Sequence, residues 1–205
     1  MEFKEILENR RAVNFFDPEK DVTEAQLKEI VEDAAKSPSS FNLQPWKMII
    51  LRDSEQKGKL QKLAFDQPKV SEAPVVIILL ADREGWKEGN TILESHFKNN
   101  LKPDQREWFI STTAALYGSS EAATQAFANK NAGLFAMSLM YSASNLGLHT
   151  HPMDGFDHEA VRKEFNIPDQ YWIPMLICVG QKKADVEILP KAWRQSFEEI
   201  VLETK

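Results

Sequence analysis

The order of apolar and polar residues along the chain predicts a sheet flanked by helices. Thr23 begins a capping box, and apolar residues then recur at helical spacing until Ser37 and Pro38 end the pattern. Two apolar runs without polar alternation, at 48–51 and 75–80, predict central strands that are covered on both faces. The other elements that the pattern predicts are two helices, at 54–64 and 158–165, and a strand at 172–179.

One long segment contains no charged residue. Residues 131–153 lack Asp, Glu, Lys and Arg, and residues 131–147 are apolar or small on every face of a helix. Such a helix must be buried on all sides, whereas the core of a 205-residue chain can cover only part of it. We therefore expect an obligate homodimer, and the alternative is a central helix that is buried within one subunit.

Composition and charge exclude several classes of protein. The net charge of −6 and the pI near 5.3 argue against binding to nucleic acid or to anionic membranes, because both need a basic surface. No uncharged apolar stretch is both long enough and free enough of polar residues to span a bilayer. The single cysteine, Cys178, excludes an intrachain disulfide and favours a reducing, cytoplasmic location.

The polar and aromatic segment at 85–118 predicts a helical excursion, or lid, over one domain that spans residues 1–205.

His149 and His151 lie two residues apart, but no third ligand follows at suitable spacing, so no metal is expected. The sequence contains no GxGxxG, GxxxxGK[ST] or GxSxG motif. A dinucleotide-binding fold, a P-loop and a serine nucleophile elbow are therefore not encoded.

Four polar segments are the candidate sites that remain. They are RRAVN at 10–14, PSSFNLQPW at 38–46, PMDGFD at 152–157 and LPKAWR at 189–194. Each one alone has an ordinary structural explanation, such as a charge at a helix C-terminus or a well-capped turn. Together, in this order and with QPK at 67–69, they resemble the nitroreductase superfamily of FMN-dependent oxidoreductases. The string PSSxNxQPW is the most specific part of the resemblance, which covers nearly the whole chain apart from the excursion.

The resemblance implies an α+β fold, namely a nitroreductase-like sandwich with a central, mostly antiparallel sheet between helices. Two copies would form an intertwined homodimer with one FMN in each of two clefts between them. NADH or NADPH would be the transient electron donor, and a nitroaromatic, a quinone or a similar small planar molecule would be the acceptor. The implied reaction is ping-pong, with hydride passing through the flavin N5 and no side chain acting as nucleophile or general base.

The resemblance also assigns residues to FMN. The phosphate would be held by three cations: Arg10, Lys191 and Arg194. The ribityl and pyrimidine side would be lined by Arg11, Ala12 and Asn14, and the pyrimidine edge would be bonded by Gln67 and Lys69. The partner subunit would lay a strip against the ring, made of Pro38, Ser39, Ser40 and Asn42. The turn that presents a backbone N–H to N5 would consist of Pro152, Met153, Asp154 and Gly155.

Two positions depart from the pattern that the family commonly shows. Ala12 stands where serine is common, and Asn14 stands where a basic side chain is common. The phosphate contact would therefore be thinner, and stabilisation of the reduced ring would depend more on Lys69. The walls of the acceptor pocket would be aromatic: Phe41, Trp108 and Phe109.

Two other functions stay open at this point. The chain could be a specialised enzyme on the same scaffold, such as a reductive dehalogenase or a flavin-consuming member, with dedicated contacts from the 85–118 excursion. It could also be a flavin-binding protein without catalytic activity. The sequence does not distinguish NADH from NADPH, nor does it identify the physiological acceptor.

Overall fold

The computed structural model describes residues 2–205, which form an α+β sandwich. The strands in this range are β1 (Trp46–Leu51), β2 (Val75–Asp82), β3 (His149–Met153) and β4 (Tyr171–Gly180). The first helices are α1 (Phe3–Asn9), α2 (Glu24–Ala34), α3 (Ser54–Leu63), α4 (Pro68–Glu72) and α5 (Thr91–Asn99). They are followed by α6 (Arg106–Tyr117), α7 (Glu121–Asn145), α8 (His158–Glu164) and α9 (Phe197–Ile200).

The four strands form one antiparallel sheet in the order β1-β2-β4-β3. All eight residues of β2 are buried, because its side chains alternate between two separate hydrophobic cores. One core lies under α2 and α7, and the other lies under α3, α4 and α8. The predicted layering of a sheet between helices is confirmed.

The long helix α7 packs on the sheet through one part of its surface and leaves another part uncovered. Phe135 and Leu139 are buried in the core, whereas Leu134 is 44% exposed, and Met137 and Tyr141 are partly exposed. These three residues recur at helical spacing, so they form one stripe. A single chain therefore covers only part of the charge-free portion of α7, residues 131–145, and the homodimer stays a prediction that the stripe supports.

The structure corrects two predictions about strands. The run at 48–51 belongs to β1, which lies at an edge of the sheet and pairs only with β2, so it is not a central strand. A short apolar run has no alternation that separates an edge strand from a central one. The strand β3 was missed, because its sequence HTHPM is polar and contains Pro152, which a strand tolerates mainly at an edge.

The segment at 85–118 contains α5 and α6, which an ion-pair cluster holds together. Arg106, the first residue of α6, donates to Glu94 of α5 and to Glu88. Its guanidinium also lies over the Phe97 ring, 4.3 Å from the centroid. The role of this segment as a lid stays a prediction.

Within residues 2–205 no helix combines the length and the apolar character that crossing a bilayer requires.

The exposed stripe on α7 predicts that Leu134→Lys abolishes association of two copies. A lysine at the centre of an apolar interface would bury an unpaired charge, which is strongly unfavourable. Analytical ultracentrifugation should give the mass of two chains for the wild type and of one chain for the variant. The matched control, Glu159→Lys on the exposed surface of α8, should keep the wild-type mass. A Leu134→Lys protein that still sediments as two chains would contradict the interface.

Candidate functional site

The N-terminal segment lies along the free edge of β3. Ala12 forms a parallel bridge with Thr150, and the backbone N–H of Val13 donates to the Thr150 carbonyl at 3.2 Å. An edge strand presents unpaired backbone groups, and this segment covers those of β3. Because α1 ends at Arg10, the basic pair Arg10 and Arg11 emerges directly beside this edge.

Lys69 reaches the same edge from α4. Its Nζ lies 3.2 Å from Nε2 of His151, and Nδ1 of His151 lies 2.8 Å from the Val13 carbonyl oxygen. Burial lowers the pKa of Lys69, and burial together with the Lys69 charge lowers the pKa of His151. Within residues 2–205 no carboxylate pairs with Lys69, so the charge of its ammonium group is not compensated.

Gln67 fastens the turn that follows β3. Its side-chain Nε2 donates to the Gly155 carbonyl at 2.8 Å and to the Ala64 carbonyl at 3.1 Å. A Cβ at Gly155 would lie 2.9 Å from that nitrogen, which is closer than such contacts allow. Among the described residues, no acceptor bonds the backbone N–H of Asp154 or of Gly155. Both N–H groups are therefore available to a ligand.

Arg10 and Arg11 border a small cavity beside β3. The cavity measures about 150 Å³, and its lining includes Thr150, whose buried hydroxyl has no hydrogen-bond partner. Within the described residues Arg10 forms no ion pair and no side-chain hydrogen bond. Arg11 instead donates to the carbonyls of Leu189 and Pro190, at 2.6 and 3.0 Å. Arg11 thus ties the C-terminal segment to the N-terminal one, while Arg10 keeps its charge available.

A second small cavity lies on the other side of the N-terminal segment. It measures about 140 Å³, and Arg11, Ala12 and Asn14 line it together with the chain at 186–189. Three residues that the resemblance assigns to one side of FMN therefore share one concave surface.

The two C-terminal cations are placed differently. Lys191 forms an ion pair with Glu8 of α1, and this contact lowers the pKa of Glu8. Arg194 is exposed and donates only to carbonyls of its own segment, those of Ala192 and Trp193. In residues 2–205 no hydrogen bond or ion pair joins either cation to Arg10, although Glu8 precedes Arg10 by two residues. The structure brings Lys191 to α1, the helix that directly precedes Arg10, and shows no such contact for Arg194.

The strip at 38–42 is shaped by polar contacts and by unusual backbone angles. The Ser39 hydroxyl accepts from the N–H of Gln44 at 3.0 Å, and the N–H of Ser40 donates to Asn131 of α7 at 2.9 Å. Phe41 and Asn42 have φ values of 53° and 54°, in the left-handed region, which asparagine tolerates but phenylalanine seldom adopts. Strain of this kind is frequent at ligand sites.

The three aromatic residues predicted to form the acceptor pocket are in contact. The Phe41 ring lies 5.2 Å from that of Phe109 and 6.4 Å from that of Trp108. Phe109 is buried and packs in the core, whereas Trp108 is 56% exposed. Trp108 and Phe41 therefore supply the accessible surface of this cluster, and Phe109 supports them from below.

The structure divides the predicted site residues into two groups. The first group lies at the β3 edge, around Arg10, Lys69 and Gly155, and the second is the strip that leads into β1. Within residues 2–205 no hydrogen bond or ring contact links the two groups. The strands β1 and β3 lie three interstrand spacings apart, about 14 Å.

Two residues of the site were missed by sequence reasoning. His151 was considered only as half of a metal pair, and Asn131 only as part of an apolar helix. The signal for His151 is the alternation in HTHPM, which places residues 149 and 151 on the same face of a strand. For Asn131, the signal is an amide at the start of the charge-free segment 131–153, which was predicted to be buried, since a buried amide needs a partner.

Comparison with known proteins gives one consistent result. A model described as the Nitroreductase family matches residues 7–181. MhqN of Bacillus subtilis, named for NAD(P)H nitroreductase activity, is 32% identical over 202 residues, which are 98% of each chain. The crystal structure of YdfN from Bacillus subtilis, named as a nitroreductase, has a TM-score of 0.90 and 32% identity over 99% of each chain. A nitroreductase-like protein of Exiguobacterium sibiricum, crystallised in complex with FMN, has a TM-score of 0.84 and 25% identity over 98% of this chain and 96% of that one.

The contact between Gln67 and Gly155 predicts opposite effects for two Gly→Ala substitutions. Gly155→Ala should displace the Gln67 amide and lower the free energy of unfolding by about 1 kcal/mol, the value of one hydrogen bond. Gly58→Ala, in the interior of α3 with open space around it, should raise that free energy by up to about 1 kcal/mol. Urea denaturation of both variants measures the difference. Equal stability of Gly155→Ala and the wild type would show that the hydrogen bond from Gln67 to Gly155 does not stabilise the turn.

Proposed function

The chain belongs to the nitroreductase family, and we propose that it is an FMN-dependent oxidoreductase that takes electrons from NADH or NADPH. The observation that carries the proposal is the pair of uncompensated cations, Lys69 and Arg10, beside the β3 edge of an acidic protein. Both cations are partly buried, and a partly buried cation without a carboxylate favours binding of a ligand that supplies negative charge. FMN is an anion with charge at one end and hydrogen-bonding groups along one ring edge, which this arrangement matches.

The residues at the β3 edge fit FMN in three respects. Arg10 offers a charged fork for a phosphate, with the unpartnered Thr150 hydroxyl in the same cavity. Lys69 offers a positive charge for the pyrimidine edge, and the unbonded N–H groups of Asp154 and Gly155 offer donors. When bound, FMN supplies the redox chemistry, because its ring takes a hydride from a reduced nicotinamide and gives electrons to an acceptor.

The C-terminal cations would complete the phosphate site by moving from their present partners. Lys191 would exchange Glu8 for the phosphate, and Arg194 would turn away from the carbonyls of its own segment. Both side chains are exposed, so these exchanges cost little. The contacts of Arg11 with Leu189 and Pro190 already hold the C-terminal segment close to Arg10.

We infer that two copies of the chain form each site. The strip at 38–42 leads into β1, whereas Arg10 and Lys69 lie at the opposite edge of the sheet, so one chain does not bring them together. A second copy that packs against the exposed stripe of α7 would bring its own residues 38–42 to the β3 edge of this chain. The homodimer is thereby a condition for function as well as for burial of α7.

The acceptor is proposed to be a small planar molecule, such as a nitroaromatic or a quinone. Trp108 and Phe41 would provide the flat, apolar surface against which it stacks. Because the sequence holds no dinucleotide-binding motif, we expect the nicotinamide to occupy the same cleft before the acceptor does. The kinetics should then be ping-pong.

The first prediction of this proposal concerns the purified protein. It should carry FMN with an absorption band near about 450 nm, and NADH or NADPH should bleach that band anaerobically. A quinone and a nitroarene should each restore it, because a stacking surface selects planarity more than a particular group. Protein that stays colourless after incubation with excess FMN would overturn the proposal. Protein that is reduced but passes electrons to neither acceptor would overturn its broad acceptor range.

The second prediction concerns the phosphate. Arg10→Ala and Arg194→Ala should each weaken FMN binding by about tenfold to a hundredfold, since each removes a charge-assisted hydrogen bond. The dissociation constant is measured by quenching of FMN fluorescence on titration with apoprotein. Lys36→Ala, which removes an exposed cation paired with Asp33 on α2, is the control and should bind FMN as the wild type does. Unchanged affinity in both arginine variants would show that the phosphate lies elsewhere.

A further inference from the structure

The ammonium of Lys69 has one polar partner within residues 2–205, the imidazole of His151. The distance from Nζ to Nε2 is 3.2 Å, and the other ring nitrogen, Nδ1, lies 2.8 Å from the Val13 carbonyl oxygen. A carbonyl oxygen can only accept a hydrogen bond, so Nδ1 carries the ring proton. Nε2 then offers its lone pair to an N–H of the lysine, and the imidazole is neutral.

The position of this imidazole is set by the backbone on both sides of β3. His151 pairs with Cys178 in β4, and the neighbouring residue Thr150 is bridged to Ala12 of the N-terminal segment. The hydrogen bond to the Val13 carbonyl then fixes the rotation of the ring. The acceptor that Lys69 meets is therefore held by the sheet and is not a mobile side chain.

A neutral partner has a different electrostatic effect from that of a carboxylate. A carboxylate at this place would hold Lys69 and cancel its charge, whereas the imidazole holds it and leaves a full positive charge. The ammonium has three N–H groups, and His151 uses one of them. Burial lowers the pKa of His151, and so does the Lys69 charge, which agrees with the neutral ring that the Nδ1 contact with the Val13 carbonyl indicates.

The N-terminal segment offers few other groups to a negatively charged ligand, so the direction in which the Lys69 ammonium points is important. Ala12 has no hydroxyl to offer, and Asn14 carries no charge. Arg11 is occupied by the carbonyls of Leu189 and Pro190. Lys69 is therefore the cation that the β3 edge directs, through a fixed contact, to a ligand at the Gly155 turn.

We propose that His151 is a positioning residue, which orients the Lys69 ammonium toward the pyrimidine edge of bound FMN and leaves its charge intact. This inference rests on the proposed function and adds to it a residue that acts through Lys69. It follows that the oxidised and reduced forms of FMN should differ in their sensitivity to His151. A positive charge directed at the pyrimidine edge favours the reduced form, because that form carries more negative charge there.

The first test examines the apoprotein and needs no FMN. Two-bond ¹H–¹⁵N correlation spectra of ¹⁵N-histidine-labelled protein at pH 7 report which ring nitrogen of His151 carries the proton, with Lys69→Met as comparison. We expect a neutral ring that is protonated at Nδ1, and a change in the Nε2 shift when the lysine is removed. A ring protonated at Nε2 or a doubly protonated ring would overturn the inference. So would an Nε2 chemical shift that is the same in the wild type and in Lys69→Met.

The second test measures the midpoint potential of bound FMN in a double-mutant cycle. His151→Leu removes the acceptor, and we expect reduced FMN to lose about tenfold in affinity relative to oxidised FMN. For a two-electron couple that ratio is a shift of about 30 mV to more negative potential. His151→Gln, whose amide oxygen can accept from Lys69, should restore most of the wild-type value.

The cycle separates positioning from a merely structural role. In a Lys69→Met background, His151→Leu should no longer shift the potential, because the charge that it positions is absent. An equal shift in both backgrounds, or no shift in the wild-type background, would overturn the inference while leaving the proposed function in place. Wild-type protein that binds no FMN would overturn the proposed function and this role of His151 with it.

Discussion

The order of strands in the sheet is the constraint on which the proposed site depends. Because β1 and β3 occupy opposite edges, the strip at 38–42 and the cations beside β3 are held apart by the two central strands. The same strand order leaves β3 with a free edge, which the segment after α1 covers through Ala12 and Val13. One chain thus places two halves of the proposed site at opposite edges of its sheet, and a second copy is the simplest way to join them.

Charge placement gives the β3 edge its chemical character. The protein has a net charge of −6, and in residues 2–205 eleven of its 25 Lys and Arg side chains pair with carboxylates, as Arg106 and Arg52 do. Arg10 and Lys69 are not among these eleven, since the described residues supply no carboxylate to either. Exposed ion pairs contribute little to stability, whereas a half-buried cation without an anionic partner raises the energy of the empty protein and favours an anionic ligand. The imidazole of His151 fits this arrangement, because it holds Lys69 without removing its charge.

The elements that sequence reasoning found are those with strong local signals. The capping box at Thr23, the all-buried strand β2 and the uncharged stretch of α7 each depend on neighbouring residues, so the pattern along the chain contains the information. The position of β1 at an edge and the existence of β3 depend on pairing between distant strands, which no local pattern records. The same difference between local signals and contacts of distant residues applies to the site. The polar segments were found along the chain and were assigned to FMN through their resemblance to a family, whereas the contact of Lys69 with His151 joins residues 82 positions apart and was missed.

In the proposed dimer, Arg10 and the 38–42 strip of any one site come from different chains, and a hybrid dimer distinguishes this arrangement from a site built within one chain. One chain carries Arg10→Ala, the other carries Ser40→Tyr in the strip, and two different affinity tags isolate the mixed dimer. Each homodimer should bind FMN weakly, since both of its sites are defective. The mixed dimer should bind one FMN per two chains with wild-type affinity. One of its two sites combines the intact Arg10 of the Ser40→Tyr chain with the intact Ser40 of the Arg10→Ala chain. Weak binding by the mixed dimer, equal to that of the parent homodimers, would show that each site is built within a single chain and would contradict the account.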